Sequence, residues 1–167
     1  MCRDVAVAMA QQHLTGFQRY IGGPQPAPER VLQVVYPGTV LEPVPWTGML
    51  SSLRDAVEQA AGGRFNSVLL NYYRDGNDAM GLHADDEPEL GPAPVIASLS
   101  LGATRTLYFR HRTRRDLATF NLPLPSGSLL VMRGTTQQYW KHGLRRVSRP
   151  CGPRVNLTFR RIITAGC

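Results

Sequence analysis

The stretch GLHADDE, Gly81–Glu87, sets His83 and Asp85 one residue apart. On an extended segment, side chains at i and i+2 share a face. An imidazole nitrogen and a carboxylate oxygen can then grip one ion from the same side, and that donor pair suits a divalent first-row metal. A second histidine completes the two-histidine, one-carboxylate set that leaves three positions of an octahedral iron open. The chain has four histidines: His13, His83, His111 and His142. His13 lies in an irregular N-terminal region. His111 sits inside RHRTRR, where neighbouring positive charge repels a cation. His142, in QQYWKHGL after an apolar strand, is the best third ligand. An isolated His-x-Asp also occurs by chance in loops, so the spacing alone does not settle the point.

A second set of groups lies in RVNLTFR, Arg154–Arg160. Read as a strand, it places Val155, Leu157 and Phe159 on one face and Arg154, Asn156, Thr158 and Arg160 on the other. The plain reading is an edge strand with a solvated polar face. The alternative turns that face into a cavity. An iron with three open positions needs an electron-donating co-substrate, and 2-oxoglutarate chelates iron through its 2-keto acid end. Its far carboxylate needs a fixed cation, and arginine offers a planar fork that stays charged. Asn71 and Tyr73, in LLNYYRDG, also share a face and can add an amide and a phenol hydrogen bond to the same molecule.

These groups need a scaffold. A chain of 167 residues is about one domain, and an apolar fraction of 43% suits a globular core. No apolar run approaches the roughly 20 residues that span a bilayer, and the N-terminus carries no clear export signal. Three scattered cysteines, Cys2, Cys151 and Cys167, suggest neither a disulfide framework nor a zinc site. An intracellular protein is the simplest expectation. The net charge of +7 favours an anionic partner, nucleic acid first. Residues 22–45 are rich in Pro and Gly, so little regular structure is expected there. TGMLSSLRDAVEQAAGG reads as a helix: Thr47 caps it, Leu50, Leu53, Val57 and Ala60 form its apolar face, and Gly62-Gly63 stops it. From Phe65 onward the pattern becomes FNSVLLNYY, VIASLSLG, TRTLYFRH, LATFNLPL, GSLLVMRG and RVNLTFRRI, short strands separated by turn residues. The expected class is α+β, mainly β, as a sandwich or barrel with a supporting N-terminal helix.

Taken together, FNSVLLNYYRDGNDAMGLHADDEPELGPAPVIASLSLGATRTLYFRH, LPSGSLLVMRGTTQQYWKHGL and PRVNLTFRRI closely resemble the DNA-repair branch of the AlkB-type Fe(II)/2-oxoglutarate dioxygenases. The resemblance runs from about Gly38 to Ile163 and keeps the order and spacing of every motif. It implies a double-stranded β-helix (jelly roll) over 38–167, preceded by an irregular segment, 1–37, with an altered or shortened nucleotide-recognition lid. By position it makes His83, Asp85 and His142 the iron ligands, and Asn71, Tyr73, Arg154, Asn156, Thr158 and Arg160 the 2-oxoglutarate site. It points to Arg154 for the far carboxylate, with Arg160 nearer the metal.

The activity this resemblance implies is oxidative removal of N-methyl groups from 1-methyladenine and 3-methylcytosine in DNA, using Fe(II), O₂ and 2-oxoglutarate. These bases are cationic, which gives Asp86 and Glu87 a place beside the substrate; the bland alternative is a solvated loop. Trp140 is expected as a pocket wall, Arg105 as pointing toward the pocket, and Tyr36 as a remnant of the lid. Arg110, Arg112, Arg114 and Arg115 form a cluster on an expected hairpin and are candidates for phosphate contact. The expected partner is DNA, with RNA as a second nucleic acid, and the expected state is a monomer without membrane attachment. Residues 1–37 match the family poorly, which keeps two alternatives open: an oxygenase acting on RNA, protein or a small molecule, and a nucleic-acid-binding homologue with a weak site.

Overall fold

The computed structural model describes residues 8–10 and 45–163. The expected helix is present as α1 (Gly48–Ala61). Thr47 caps it, its hydroxyl accepting from the Leu50 N–H at 3.3 Å, and Gly62 ends it at φ +61°. A left-handed backbone there has almost no steric cost for glycine. Arg133 also donates to the Ala61 carbonyl and so covers one orphan acceptor at the helix end.

The strands are β1 (Ala8–Ala10), β2 (Ser67–Tyr73), β3 (Met80–His83), β4 (Ile96–Gly102), β5 (Arg105–His111), β6 (Phe120–Leu124), β7 (Ser128–Met132), β8 (Trp140–Leu144) and β9 (Arg154–Arg160). A four-residue helix, α2 (Thr136–Tyr139), leads directly into β8. They form two antiparallel sheets: a major one in the order β1-β7-β4-β9-β2 and a minor one in the order β3-β8-β5-β6. The jelly-roll expectation matches this arrangement. β1 falls inside the stretch read as irregular, and Tyr36 and the rest of 1–37 lie outside the described residues.

Alternation along β9 explains the layering. Leu157 and Phe159 join Val68, Ala97, Leu99 and Val131 on the outer face of the major sheet, where Leu53, Val57 and Ala61 of α1 cover them. Burial of such side chains contributes roughly 1.5–3 kcal/mol each. The polar face of β9 is thereby turned inward, between the sheets. Arg154, Asn156, Thr158 and Arg160 are all buried.

Candidate metal and co-substrate site

Two strands absent from the sequence reading carry the histidines. β3 and β8 pair His83 directly with His142, and the rings lie 4.4 Å apart. Asp85 follows two residues beyond His83 and is 2% exposed. One ligand atom from each of the three lies within 4.8 Å of the others. His83 Nδ1 lies 2.9 Å from the Gly81 carbonyl. That contact favours a proton on Nδ1 and leaves Nε2 free to bind an ion. Burial lowers the His142 pKa to about 4, against the attraction of Asp85 and with the help of His83 and Arg160. The ring is therefore neutral, the form that binds metal.

Asp85 is held from two sides. Its backbone N–H donates to Gln137 Oε1 at 3.0 Å, and Oδ1 accepts from Arg160 Nη2. Oδ2 stays 3.6 Å from His142 Nε2. Gln137 is 1% exposed and sits on α2, immediately ahead of the strand that carries His142. Nothing in TTQQYW separates Gln137 from Gln138, so the sequence offers no signal for this support.

Along β9 the inward groups form a polar ladder. Arg154 Nη2 donates to Ser100 Oγ at 2.9 Å and to Asn156 Oδ1 at 2.8 Å. Ser98 Oγ donates to the same Asn156 oxygen at 2.9 Å, and Asn156 Nδ2 donates to Thr158 Oγ1 at 2.8 Å. Ser98 and Ser100 were missed, although two serines at alternate positions of the apolar strand VIASLSLG mark an inward polar face. Asn71 and Tyr73 stand opposite Asn156 and Arg154 across β2 and β9. The Arg154 guanidinium lies 5.2 Å from the Tyr73 ring centre. Arg160 thus occupies the metal end and Arg154 the far end of one cavity, which both arginines line together with His83, Asp85 and His142.

The donor set fits Fe(II): two imidazoles and a carboxylate converge on one point. The cavity also fits a dianionic co-substrate. Arg160 Nε and Nη1 and Arg154 Nε are buried without a hydrogen-bond partner among the described residues, so cationic donors remain to be satisfied.

The remaining expected residues are placed as follows. Arg105 does not reach toward a base at the mouth. It is 2% exposed, and its guanidinium donates to the carbonyls of Asp75 at 2.9 Å, Asp78 at 2.9 Å and Arg145 at 2.6 Å. It faces inward on β5 but four residues from Phe109, the partner of His142, and so stands behind Tyr73 at the far end. Asp86 and Arg112, expected on the base and on a phosphate, form an ion pair with each other. Arg114 pairs with Asp116 at 2.6 Å. Arg110 and Arg115 are exposed. Glu87 precedes the short turn Pro88–Leu90, with one carboxylate oxygen buried and unpartnered among the described residues. Trp140 is half-buried against the core between the sheets, on the His142 face of β8.

A family model for the 2OG-Fe(II) oxygenase superfamily matches residues 7–160. The chain belongs to this superfamily. This oxygenase is 44% identical over 138 residues to the human DNA oxidative demethylase ALKBH2, covering 79% of this chain and 53% of that protein. It is 38% identical over 173 residues to the mouse alpha-ketoglutarate-dependent dioxygenase alkB homolog 3, covering 97% of this chain and 59% of that protein. The second match reaches into residues 1–37, where little likeness was expected. The chain spans about half the length of the curated relatives it matches. A solved structure titled "The structure of OsALKBH1" superposes with a TM-score of 0.56 at 20% identity, over 80% of this chain and 75% of that one, a likeness of fold. No helix among the described residues is long and apolar enough to cross a membrane.

Proposed function

We propose that this oxygenase removes N-methyl groups from 1-methyladenine and 3-methylcytosine in DNA, releasing formaldehyde, succinate and CO₂. The observation that carries the reading is the cavity in which His83, Asp85 and His142 converge beside two buried arginines with unsatisfied donors. The identity to relatives named as DNA oxidative demethylases supports the substrate.

Bound Fe(II), with O₂ and 2-oxoglutarate, supplies the oxidation of the methyl group. The chain's own residues arrange the reactants. His83, Asp85 and His142 hold the ion on one face, and Gln137 and Arg160 fix the carboxylate that binds it. Arg154 receives the far carboxylate of 2-oxoglutarate, and the ladder through Ser100, Asn156 and Thr158 sets its angle. Asn71, Tyr73 and Thr158 complete the co-substrate wall. Glu87, with one buried carboxylate oxygen unpartnered among the described residues, is the acidic group left to meet the cationic base, since Arg112 already meets the charge of Asp86. A base buried in a duplex cannot reach this cavity, so the target nucleotide is flipped or single-stranded. Residues 38–167 carry the chemistry, and Tyr36 with the lid segment of 1–37 contributes to holding the nucleotide. The protein acts inside the cell as a monomer.

The test is mass spectrometry of single-stranded DNA carrying one 1-methyladenine, incubated with protein, Fe(II), 2-oxoglutarate and ascorbate, beside a His83→Ala control. The expected result is loss of one methyl group, absent in the control. An unchanged oligonucleotide with succinate still formed would overturn the substrate. The same assay on methylated RNA separates the two nucleic acids.

A further inference from the structure

One end of the minor sheet carries an aromatic ledge that neither the metal site nor the co-substrate site uses. β5 and β8 pair Phe109 with His142 and His111 with Trp140. His111 and Trp140 therefore share the face of the metal histidine, one step along the strands. His111 meets Trp140 edge-on, with centroids 5.1 Å apart, and lies within 17° of parallel to Tyr139 at 6.0 Å. The frame is locked. His111 Nδ1 accepts from the N–H groups of Arg114 at 3.0 Å and Thr113 at 3.3 Å, and the Tyr139 carbonyl accepts from the Arg112 N–H at 2.8 Å. On this support Tyr139 stays 50% exposed.

The charge around the ledge has one sign in excess. With Arg112 and Arg114 neutralised by carboxylates, Arg110, Arg115 and Lys141 remain exposed with no acidic partner among the described residues. Arg110 and Lys141 are direct cross-strand partners on the face of the sheet opposite His111 and Trp140, a like-charge pairing that an anion lying over it would relieve. A held aromatic ring at the end of a sheet whose other face carries unpaired cations suits a ligand with a flat π-surface and a phosphate backbone that crosses that end. A base within a duplex offers its edges and not its face, so the partner is single-stranded.

We infer that Tyr139, backed by His111, stacks the base of a nucleotide next to the modified one in single-stranded nucleic acid, with Arg110, Arg115 and Lys141 on the phosphates. This rests on the demethylase reading for its choice of ligand and goes beyond it in naming the strand state and the residue that reads a neighbouring base.

The experiment measures binding of a single-stranded oligonucleotide with a central 1-methyladenine, in which one abasic position is moved stepwise along the strand. Wild-type protein is expected to lose roughly tenfold in affinity at one position beside the lesion, the scale of a single base–aromatic stack. Tyr139→Ala loses that factor on the intact strand and no longer responds to the abasic position, whereas Tyr139→Phe behaves as wild type. The salt dependence of binding stays the same in Tyr139→Ala and becomes shallower in Arg110→Ala. A Tyr139→Ala protein that keeps the position-dependent loss would overturn the inference. Photocrosslinking of 5-iodouracil at the same position to unaltered protein gives a second reading: an adduct on Tyr139 supports the ledge, and adducts only elsewhere overturn it. Position-dependent binding without demethylation would sink the proposed activity and leave the ledge standing. Demethylation with a flat binding profile would do the reverse.

Discussion

Gln137→Leu tests whether the metal carboxylate is positioned from outside the ligand set. The two side chains are close in size, so the change removes one acceptor with little change in volume. The Asp85 N–H then loses its 3.0 Å partner in a place where Gln137 is 1% and Asp85 2% exposed. A buried donor without an acceptor costs about 1–3 kcal/mol, which for a chain of this size lowers Tm by roughly 2–12 °C. The contact from Gln137 Nε2 to Met132 Sδ, at 3.5 Å, adds little. The metal effect is separate. With the backbone at Asp85 released, Arg160 alone orients the carboxylate. Loss of such outer support typically weakens metal binding 10- to 100-fold, a range expected here as about 10–100. The assay pairs thermal unfolding of metal-free protein with Mn(II) titration of wild type and variant. Lowered stability with unchanged Mn(II) affinity would refute the positioning argument and reduce Gln137 to a core hydrogen bond.

Three further outcomes follow from the geometry. Arg105→Met leaves the carbonyls of Asp75, Asp78 and Arg145 without their donors; urea unfolding is expected to show a loss of at least about 3 kcal/mol, and a loss below about 1 kcal/mol would contradict the clamp. Because the His142 pKa falls from 6.5 to about 4 on folding, the unfolded chain takes up the proton first. Stability of the metal-free protein is thus full above pH 6.5 and drops as pH falls toward 4, by on the order of 3 kcal/mol; this decline should flatten in His142→Gln when Tm is followed against pH. Addition of Mn(II) at about 100 times its Kd should stabilise the fold by about 2.7 kcal/mol, a gain reversed by EDTA and absent in His83→Ala by calorimetry.

Local signals explain which elements were legible. α1 was readable because Thr47, the apolar face and Gly62 all agree on one helix. β4 and β9 were readable because apolar and β-branched residues run through them. β3 and β8 were not: MGLH and WKHGL are short, hold a glycine each and show no period-2 pattern, so only pairing with neighbours makes them strands. Gly143 shows the constraint, since a Cβ there would meet the Met80 carbonyl at 2.9 Å. Asp86 and Arg112 are 26 residues apart, and no local pattern says that a carboxylate and a guanidinium so far apart will cancel each other.

The chemistry of this protein was determined by residue type and order. His-x-Asp on an extended segment, a later histidine and an alternating Arg-x-Asn-x-Thr-x-Arg strand supply the donors for a metal and two fixed cations, because ligand softness and charge belong to the side chains themselves. Direction and distance belong to the tertiary structure. α1 covers the apolar face of β9 and so forces both arginines inward. The pairing of β3 with β8 brings His83 against His142, and the closing of the sheets removes water from His142 until its ring stays neutral. The same folding spends Arg105 on backbone carbonyls and leaves Tyr139 open, outcomes set by which groups find partners once the chain is packed.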